Sequence, residues 1–366
     1  MSNAISLLQI RNYICLSFLL PTMPNLSSFD PNSVGNPNNT IFGLPFSEQD
    51  AQLVILPVPW EVTVSYNAGT ATAPEKIFNA SLQVDLYDSD CIDGWRKGIF
   101  MKEINKEVFL QSNDLRKKAE RYIHHIAQGN EITYDIRHSL IEINKGCTNL
   151  HQWVFEQTST LLNQKKLIGL LGGDHSIPLG FIKALANTHP EFGILQIDAH
   201  CDLRKAYEDF IFSHASIMYN VIEEIPAVKK LVQVGVRDYC DEELHYIQQH
   251  KHRITTYFDR DIKTKLYEGT TWKAIAENIV AQLPQKVYIS FDIDGLDPKL
   301  CPSTGTPVPG GFETEQIFYI IRCISNSGRT IIGFDLNEVG TTVDWDANVG
   351  ARVLYKLCNF ILSSNK

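Results

Sequence analysis

The chain has no CxxC pair among its eight cysteines, Cys15, Cys91, Cys147, Cys201, Cys240, Cys301, Cys323 and Cys358. Their scatter argues against a disulfide framework or a thiolate zinc knuckle and points to a reduced, cytoplasmic setting. No apolar run approaches the roughly 20 residues that a membrane helix needs. Positive charge is in deficit: 33 Lys and Arg face 42 Asp and Glu, a formal charge of −9. Such a chain is a poor candidate for wrapping nucleic acid or docking on anionic lipid, and suits a cationic small molecule. No repeat of solenoid period is present. With 44% hydrophobic and 20% charged residues over 366 positions, global disorder, collagen and heptad repeats are excluded, and there is material for a sizeable core.

At the start, Tyr13 to Leu20 after Arg11 resembles a short signal-peptide apolar region. No small-x-small cleavage site follows, and the cysteine usage argues against export. Met23 is therefore expected to be the initiator, with residues 1–22 a misread start. Asn25 to Thr40, rich in Asn, Pro and Ser, reads as a flexible lead-in, so residues 1–44 are expected to be an extension.

From Leu53 the character changes. Leu53–Val58, Leu167–Leu171, Gly193–Ile197, Leu231–Gly235, Val287–Phe291 and Ile331–Asp335 are short apolar runs of buried-strand type. Stretches of helical periodicity lie between them, such as Ile177–Ala186 and Glu315–Ser325. Strands apolar on both faces, alternating with helices, predict a three-layer α/β/α domain with a mostly parallel central sheet, running from about Pro45 to Lys366. Residues 85–142 break the alternation, with one apolar segment, Gly98–Met101, and a polar helix over Asn113–Ala127. They read as an elaboration of the same domain.

Three strand ends finish in metal-ligand residue types, where ligands bind in open parallel sheets. The first is Gly172-Gly-Asp-His175-Ser176, whose glycines permit a sharp turn and whose Ser176 could cap the following helix. A lone histidine in such a turn is more often structural than a ligand. The second is Asp198-Ala-His200-Cys-Asp202; residues two apart on an extended chain face one side, so its polar groups converge. The bland alternative is an N-cap Asp with a surface His. The third is Ser290-Phe-Asp292-Ile-Asp294-Gly-Leu-Asp297-Pro298, in which Asp297 reads as a turn former. The carboxylates of Asp198, Asp202, Asp292 and Asp294 would balance two divalent cations, and with His175 and His200 they make six donors, too many for one tetrahedral zinc. Oxygen donors with some imidazole favour Mn2+, with Ni2+ or iron possible.

These motifs, with Thr304-Gly-Thr-Pro307 and Pro309-Gly-Gly311 after them, resemble the ureohydrolase (arginase/agmatinase) family from about Leu53 to the C terminus. The resemblance implies that Asp198 and Asp292 bridge two metals, that His175 and Asp202 complete one site, and that His200 and Asp294 complete the other. It implies that His214 shuttles protons, that Glu338 receives the guanidinium of the substrate, and that Asp202 relays a proton to the leaving amine. On their own residues, His214 would read as a surface histidine and Glu338 as a solvated glutamate. The implied reaction is hydrolysis of a small cationic guanidino compound to urea and an amine. The implied assembly is a homotrimer or homohexamer, with no nucleic-acid or membrane partner. Asp202-Leu203-Arg204 and Ser213-His-Ala-Ser216 are closer to agmatinases than to arginases, and formiminoglutamases share the Asp-Leu-Arg step. The extra length is similar to that of guanidine hydrolases, in which loops like 60–72 and 341–348, with Trp345, would wall off the space for a substrate tail. Rival readings are a non-catalytic metal-binding scaffold and a one-zinc deacetylase on a related sheet.

Overall fold

The computed structural model describes Leu26 and residues 29–365; the expected start at Met23 lies outside them. Eight strands among the described residues are β1 (Leu53–Val58), β2 (Ile99–Met101), β3 (Leu167–Gly172), β4 (Phe192–Ile197), β5 (Val228–Val234), β6 (Ile254–Tyr257), β7 (Lys286–Asp292) and β8 (Thr330–Asn337). They form one sheet in the order β2-β1-β3-β8-β7-β4-β5-β6, and every pairing is parallel. Pro57 is tolerated in β1 because the β2 partner ends opposite Ile55, leaving that side of the strand unpaired beyond it.

Successive side chains leave a strand on opposite faces, so the apolar runs build two cores. Leu53 and Ile55, Leu195 and Ile197, and Val287 and Ile289 pack to one side. There they meet α1 (Ala73–Ser81), α8 (Trp272–Ala281), α9 (Thr314–Asn326) and α10 (Asp344–Ser364). Val54 and Leu56, Ile168 and Leu170, and Ile194 pack to the other. That side is covered by α2 (Lys106–Ala127), α3 (Tyr134–Asn163), α4 (Leu179–Thr188) and α5 (Ile217–Glu224). The shorter helices α6 (Asp241–Gln249) and α7 (Asp259–Tyr267) complete the set of α elements. This is the expected three-layer architecture, with a sheet that is wholly parallel. No helix among the described residues is long and apolar enough to cross a membrane.

The 85–142 stretch does three things. Asp88 and Asp90 hold it to the last helices through Lys356 at 2.8 and 2.6 Å, and Asp90 also pairs with Arg322 at 2.6 Å. Ile99–Met101 extends the sheet as edge strand β2. The polar helix then starts at Lys106, ahead of the expected Asn113, because the Asn105 side chain accepts the N–H groups of Glu107 and Val108 and caps it. The lead-in is more anchored than its composition suggests. Gly35 N–H donates to the Leu82 carbonyl, Thr40 Oγ1 accepts from Met101 N–H, and Ile41, Phe42 and Leu44 are buried.

Leu195, fully buried in the central strand β4, tests the core. Leu195→Ala should cost about 2–5 kcal/mol in urea unfolding, through lost transfer energy and a residual cavity.

Candidate metal centre

All of the strand tips that carry metal-ligand types belong to four neighbours in the middle of the sheet: β3, β8, β7 and β4. After β3 the chain turns at Gly173, where a Cβ would lie 1.7 Å from the Trp60 carbonyl oxygen, so only glycine fits. Ser176 does not cap α4, as its sequence position suggested; its N–H and Oγ–H donate to Asp174 Oδ1 within the turn. The turn leaves His175 buried over the sheet end.

At β4 and β7 the convergence arises differently from strand alternation. Asp198 Oδ1 accepts the N–H of His200 at 2.7 Å, and Asp292 Oδ1 accepts the N–H of Asp294 at 2.8 Å. In each case an aspartate at the strand end folds the next two residues back over itself in an Asx turn. Asp202 sits in the left-handed region at φ 55°, and Asp294 Oδ1 ties the two turns together by accepting Ala199 N–H at 2.9 Å. Asp297 accepts Lys299 N–H in a turn, as expected.

Five of the six donors gather as two overlapping groups, His175 with Asp198 and Asp202, and Asp198 with His200 and Asp294. His175 Nδ1 lies 3.0 Å from Asp198 Oδ2, 3.0 Å from Asp202 Oδ2 and 3.3 Å from Asp292 Oδ2. His200 Nδ1 lies 3.0 Å from Asp294 Oδ2 and 3.5 Å from Asp198 Oδ1. Asp198 therefore offers one oxygen to each group, and Asp292 stands on the His175 side.

The protonation of His175 follows from its other nitrogen. Nε2 is 2.8 Å from Ser290 Oγ, whose own proton goes to Asp335 Oδ1 at 3.0 Å. Nε2 must then donate, so in the neutral ring, the form that can bind a metal, Nδ1 turns a lone pair toward three carboxylate oxygens. That nitrogen is buried with no hydrogen-bond partner. Lone pairs of four groups pointing into one dry space repel unless a cation lies between them, so the donor set fits divalent metal. Burial pushes the carboxyls of Asp202 and Asp292 up, with Asp198 and Asp294 as negative neighbours adding to it. Burial would lower both imidazoles, but the facing carboxylates carry His175 and His200 well above their usual range.

The two residues that carried no signal of their own are also here. Glu338, at the end of β8, is 4% exposed and holds a left-handed backbone at φ 60°. Its Oε1 accepts His175 N–H at 2.8 Å, while its Oε2 is buried without a partner. Across from that oxygen lies Gly305, where a Cβ would approach Oε2 to 2.7 Å. His214 is half-buried, and burial together with the imidazoles of His200 and His175 pushes it down to about 3, so its resting form is neutral. It lines a cavity of about 300 Å³ with His200, Asp202, Arg204, Tyr207 and Asp238. Glu338, against the His175 backbone, is not on the wall of this cavity. The loops at 60–72 and 341–348 do meet, through Thr341 Oγ1–H to Gly69 O at 3.0 Å. Trp345 takes no part: its ring is half exposed and its Nε1–H donates to Lys299 O at 3.1 Å.

The family model described as Arginase family matches residues 51–361. The chain belongs to the arginase family. A curated N(1)-aminopropylagmatine ureohydrolase of Synechocystis is 27% identical over 329 residues, 86% of this chain and 90% of that protein. An agmatinase of Bacillus cereus is 26% identical over 298 residues, 81% and 87% of the two chains. Among solved structures, the proclavaminate amidino hydrolase of Streptomyces clavuligerus superimposes with a TM-score of 0.66 at 20% identity, covering 91% of this chain and all of that one. These relatives make the protein a ureohydrolase, a hydrolase acting on guanidino C–N bonds.

Several residues that order this ureohydrolase site were not singled out from the sequence. Ser290 and Asp335 fix the tautomer of His175, and Asn337 Nδ2–H also donates to Asp335 Oδ1. A chain of buried amides orders Asp198. Thr256 Oγ1–H donates to Gln233 Oε1, Gln233 Nε2–H to Gln196 Oε1, and Gln196 Nε2–H to Asp198 Oδ2, at 2.7, 2.7 and 2.9 Å. The available signal was a polar residue inside an apolar strand: Gln196, Gln233 and Ser290 each interrupt one.

Ser290→Ala leaves the fold intact but frees the His175 tautomer. Competition with a chelator should show metal affinity falling about 10–100-fold, with the far-UV spectrum unchanged; unaltered affinity would remove Ser290 from this role.

Proposed function

We propose that the protein is a binuclear-metal hydrolase that splits a guanidino compound into urea and an amine, with agmatine, yielding putrescine, as its best substrate. The observation that carries the reading is the unpartnered His175 Nδ1 facing three carboxylate oxygens, with Asp198 shared toward His200 and Asp294. In this reading His175 and Asp202 hold one divalent cation, His200 and Asp294 hold a second, and Asp198 and Asp292 serve both. The oxygen-rich set favours Mn2+, with Ni2+ the alternative. When bound, such a pair of cations supplies Lewis acidity and an activated water near neutral pH.

The chain's own residues do the rest. Glu338 Oε2 is already aimed, because Oε1 is held by His175 N–H. Burial and the Asp174 charge push its carboxyl well above the usual range, and an arriving guanidinium favours the ionised form, which takes its N–H groups in charge-assisted hydrogen bonds. A water oxygen bonds to the guanidinium carbon and gives up a proton to Asp202, and the C–N bond to the tail then breaks. Asp202, on the cavity wall, passes a proton to the tail nitrogen as it leaves as an amine. His214, neutral at rest and on the same wall, exchanges protons with solvent. Asp238, exposed at the cavity rim, offers a carboxylate to a tail ammonium. Arg204 is already engaged by Glu243 at 3.9 Å and by the Tyr207 ring.

A second reading, hydrolysis of free guanidine to urea and ammonia, is favoured by the closed contact between the loops at 60–72 and 341–348. There Asn67 also binds the Gly305 and Thr304 carbonyls. The proposed setting is a homotrimer or homohexamer in a reduced, cytoplasmic compartment, in keeping with the free cysteines among the described residues.

Protein loaded with Mn2+ should carry two ions per chain by elemental analysis and hydrolyse agmatine well above free guanidine; the reverse order selects the second reading. Asp292→Ala should lose metal and turnover together. Glu338→Gln should keep both ions and lose about 10²-fold or more in kcat/KM. A single tightly bound zinc, or wild-type turnover by Asp292→Ala, overturns the assignment.

A further inference from the structure

The helical pair α2–α3 lies outside the cavity, yet it grips both loops that form its mouth. One loop, 59–72, contributes Ser65 and Tyr66 to the wall; the other, 203–213, contributes Arg204 and Tyr207. On the first, Ser112 Oγ of α2 accepts Glu61 N–H at 3.0 Å in a buried position, and Arg116 of α2 donates to the Val62 and Val64 carbonyls. On the second, Tyr122 of α2 donates its hydroxyl to Asp209 Oδ2 at 2.6 Å and packs its ring 5.4 Å from that of Phe210. Asn144 of α3 completes the grip, with Oδ1 accepting Ile211 N–H at 3.0 Å and Nδ2 donating to the Asp209 carbonyl at 3.4 Å.

The second loop needs this hold. Glu208 and Asp209 are consecutive residues in the left-handed region, at φ 53° and 62°. Non-glycine residues there are strained, and the strain persists only where surrounding contacts over-determine the backbone. Glu208 also keeps a buried carboxylate oxygen without a hydrogen-bond partner, in the field of Arg116. Left to itself the turn would relax, and Tyr207 and Arg204 would move with it, since Tyr207 and Phe210 exchange backbone hydrogen bonds across the bend.

We propose that α2 and α3 act as a clamp that sets the separation of the two mouth loops and so discriminates substrates by their tails, making Arg116, Tyr122 and Asn144 positioning residues for specificity. The selectivity rests on the cavity being the substrate site, as proposed above; the clamp itself does not. None of the three residues lines the cavity, so they act through Ser65, Tyr66, Arg204 and Tyr207.

Tyr122→Phe keeps the ring against Phe210 and removes only the donor, and Asn144→Ala removes the second tie. The metal-loaded full chain carrying either or both changes should keep two ions per chain. In the double variant KM for agmatine should rise about ten-fold, the loss of roughly one hydrogen bond to a charged group. Its kcat should stay within about two-fold and its kinetics on free guanidine, which has no tail, should be unchanged. Amide exchange followed by mass spectrometry should speed up in 203–213 but not in β4. Equal losses on agmatine and guanidine, or unchanged KM for both, would overturn the discrimination, and unchanged exchange in 203–213 would overturn the clamp. A wild-type enzyme inactive on both compounds would overturn the functional reading and the selectivity with it, while the exchange result still decides the clamp.

Discussion

Four carboxylates and two imidazoles, all but His200 buried, share a crevice at the ends of β3, β4 and β7. The two imidazoles, even when protonated, offset only half of that negative charge, and burying unpaired carboxylates is among the most costly arrangements a fold can make. The rest of the molecule is arranged around this constraint. The parallel sheet brings the three strand tips within four neighbouring strands, with β8 between β3 and β7, and its two apolar cores hold those strands. Asx turns at Asp198 and Asp292 use Oδ1 of each as a backbone acceptor and leave Oδ2 facing His175. Rigid elements with locked rotamers are what a metal site requires, because small displacements of a donor are costly in affinity.

The same logic runs outward through a second layer. His175 is held by Ser290 and Asp335, and its backbone N–H holds Glu338, so one residue orients both the ring that the proposed function assigns to a metal and the carboxylate that it assigns to substrate. Gly305 leaves the space into which Glu338 Oε2 points. In the proposed function, metal loading and substrate orientation would share a mechanical link through a single side chain and its own peptide.

Much of this was legible in the sequence because its signals are local. Apolar runs of five or six residues predict six of the eight strands, and three of them close on their candidate ligands within a handful of positions, as in Asp198-Ala-His200-Cys-Asp202. The convergence was anticipated, but for the wrong geometric reason: side-chain alternation was expected where turns do the work. What could not be read is what lies far apart in the chain. Ser290 and Asp335 meet across 45 positions because β7 and β8 are neighbours, an adjacency that no local pattern encodes. Tyr122 and Asp209 are 87 positions apart, and the polar face of α2 reads as a solvated one. Ile41, Phe42 and Leu44 are buried, yet in a segment dominated by Asn and Pro three apolar residues carry no periodicity.

The amide chain from Thr256 through Gln233 and Gln196 to Asp198 has a direction. Each carboxamide receives a proton on its oxygen side and passes one on from its nitrogen side, so the edge strand β6 dictates which face of every amide looks toward the crevice. Rotating Gln196 by half a turn would set its oxygen against the Asp198 carboxylate, and rotating Gln233 would set its oxygen against that of Gln196; either way two acceptors would collide in a dry interior. The orientation of the shared carboxylate is therefore written at the rim of the sheet, two strands from where it is used, and a hydroxyl lost at Thr256 would be felt at the centre as a loss of polarity rather than of packing.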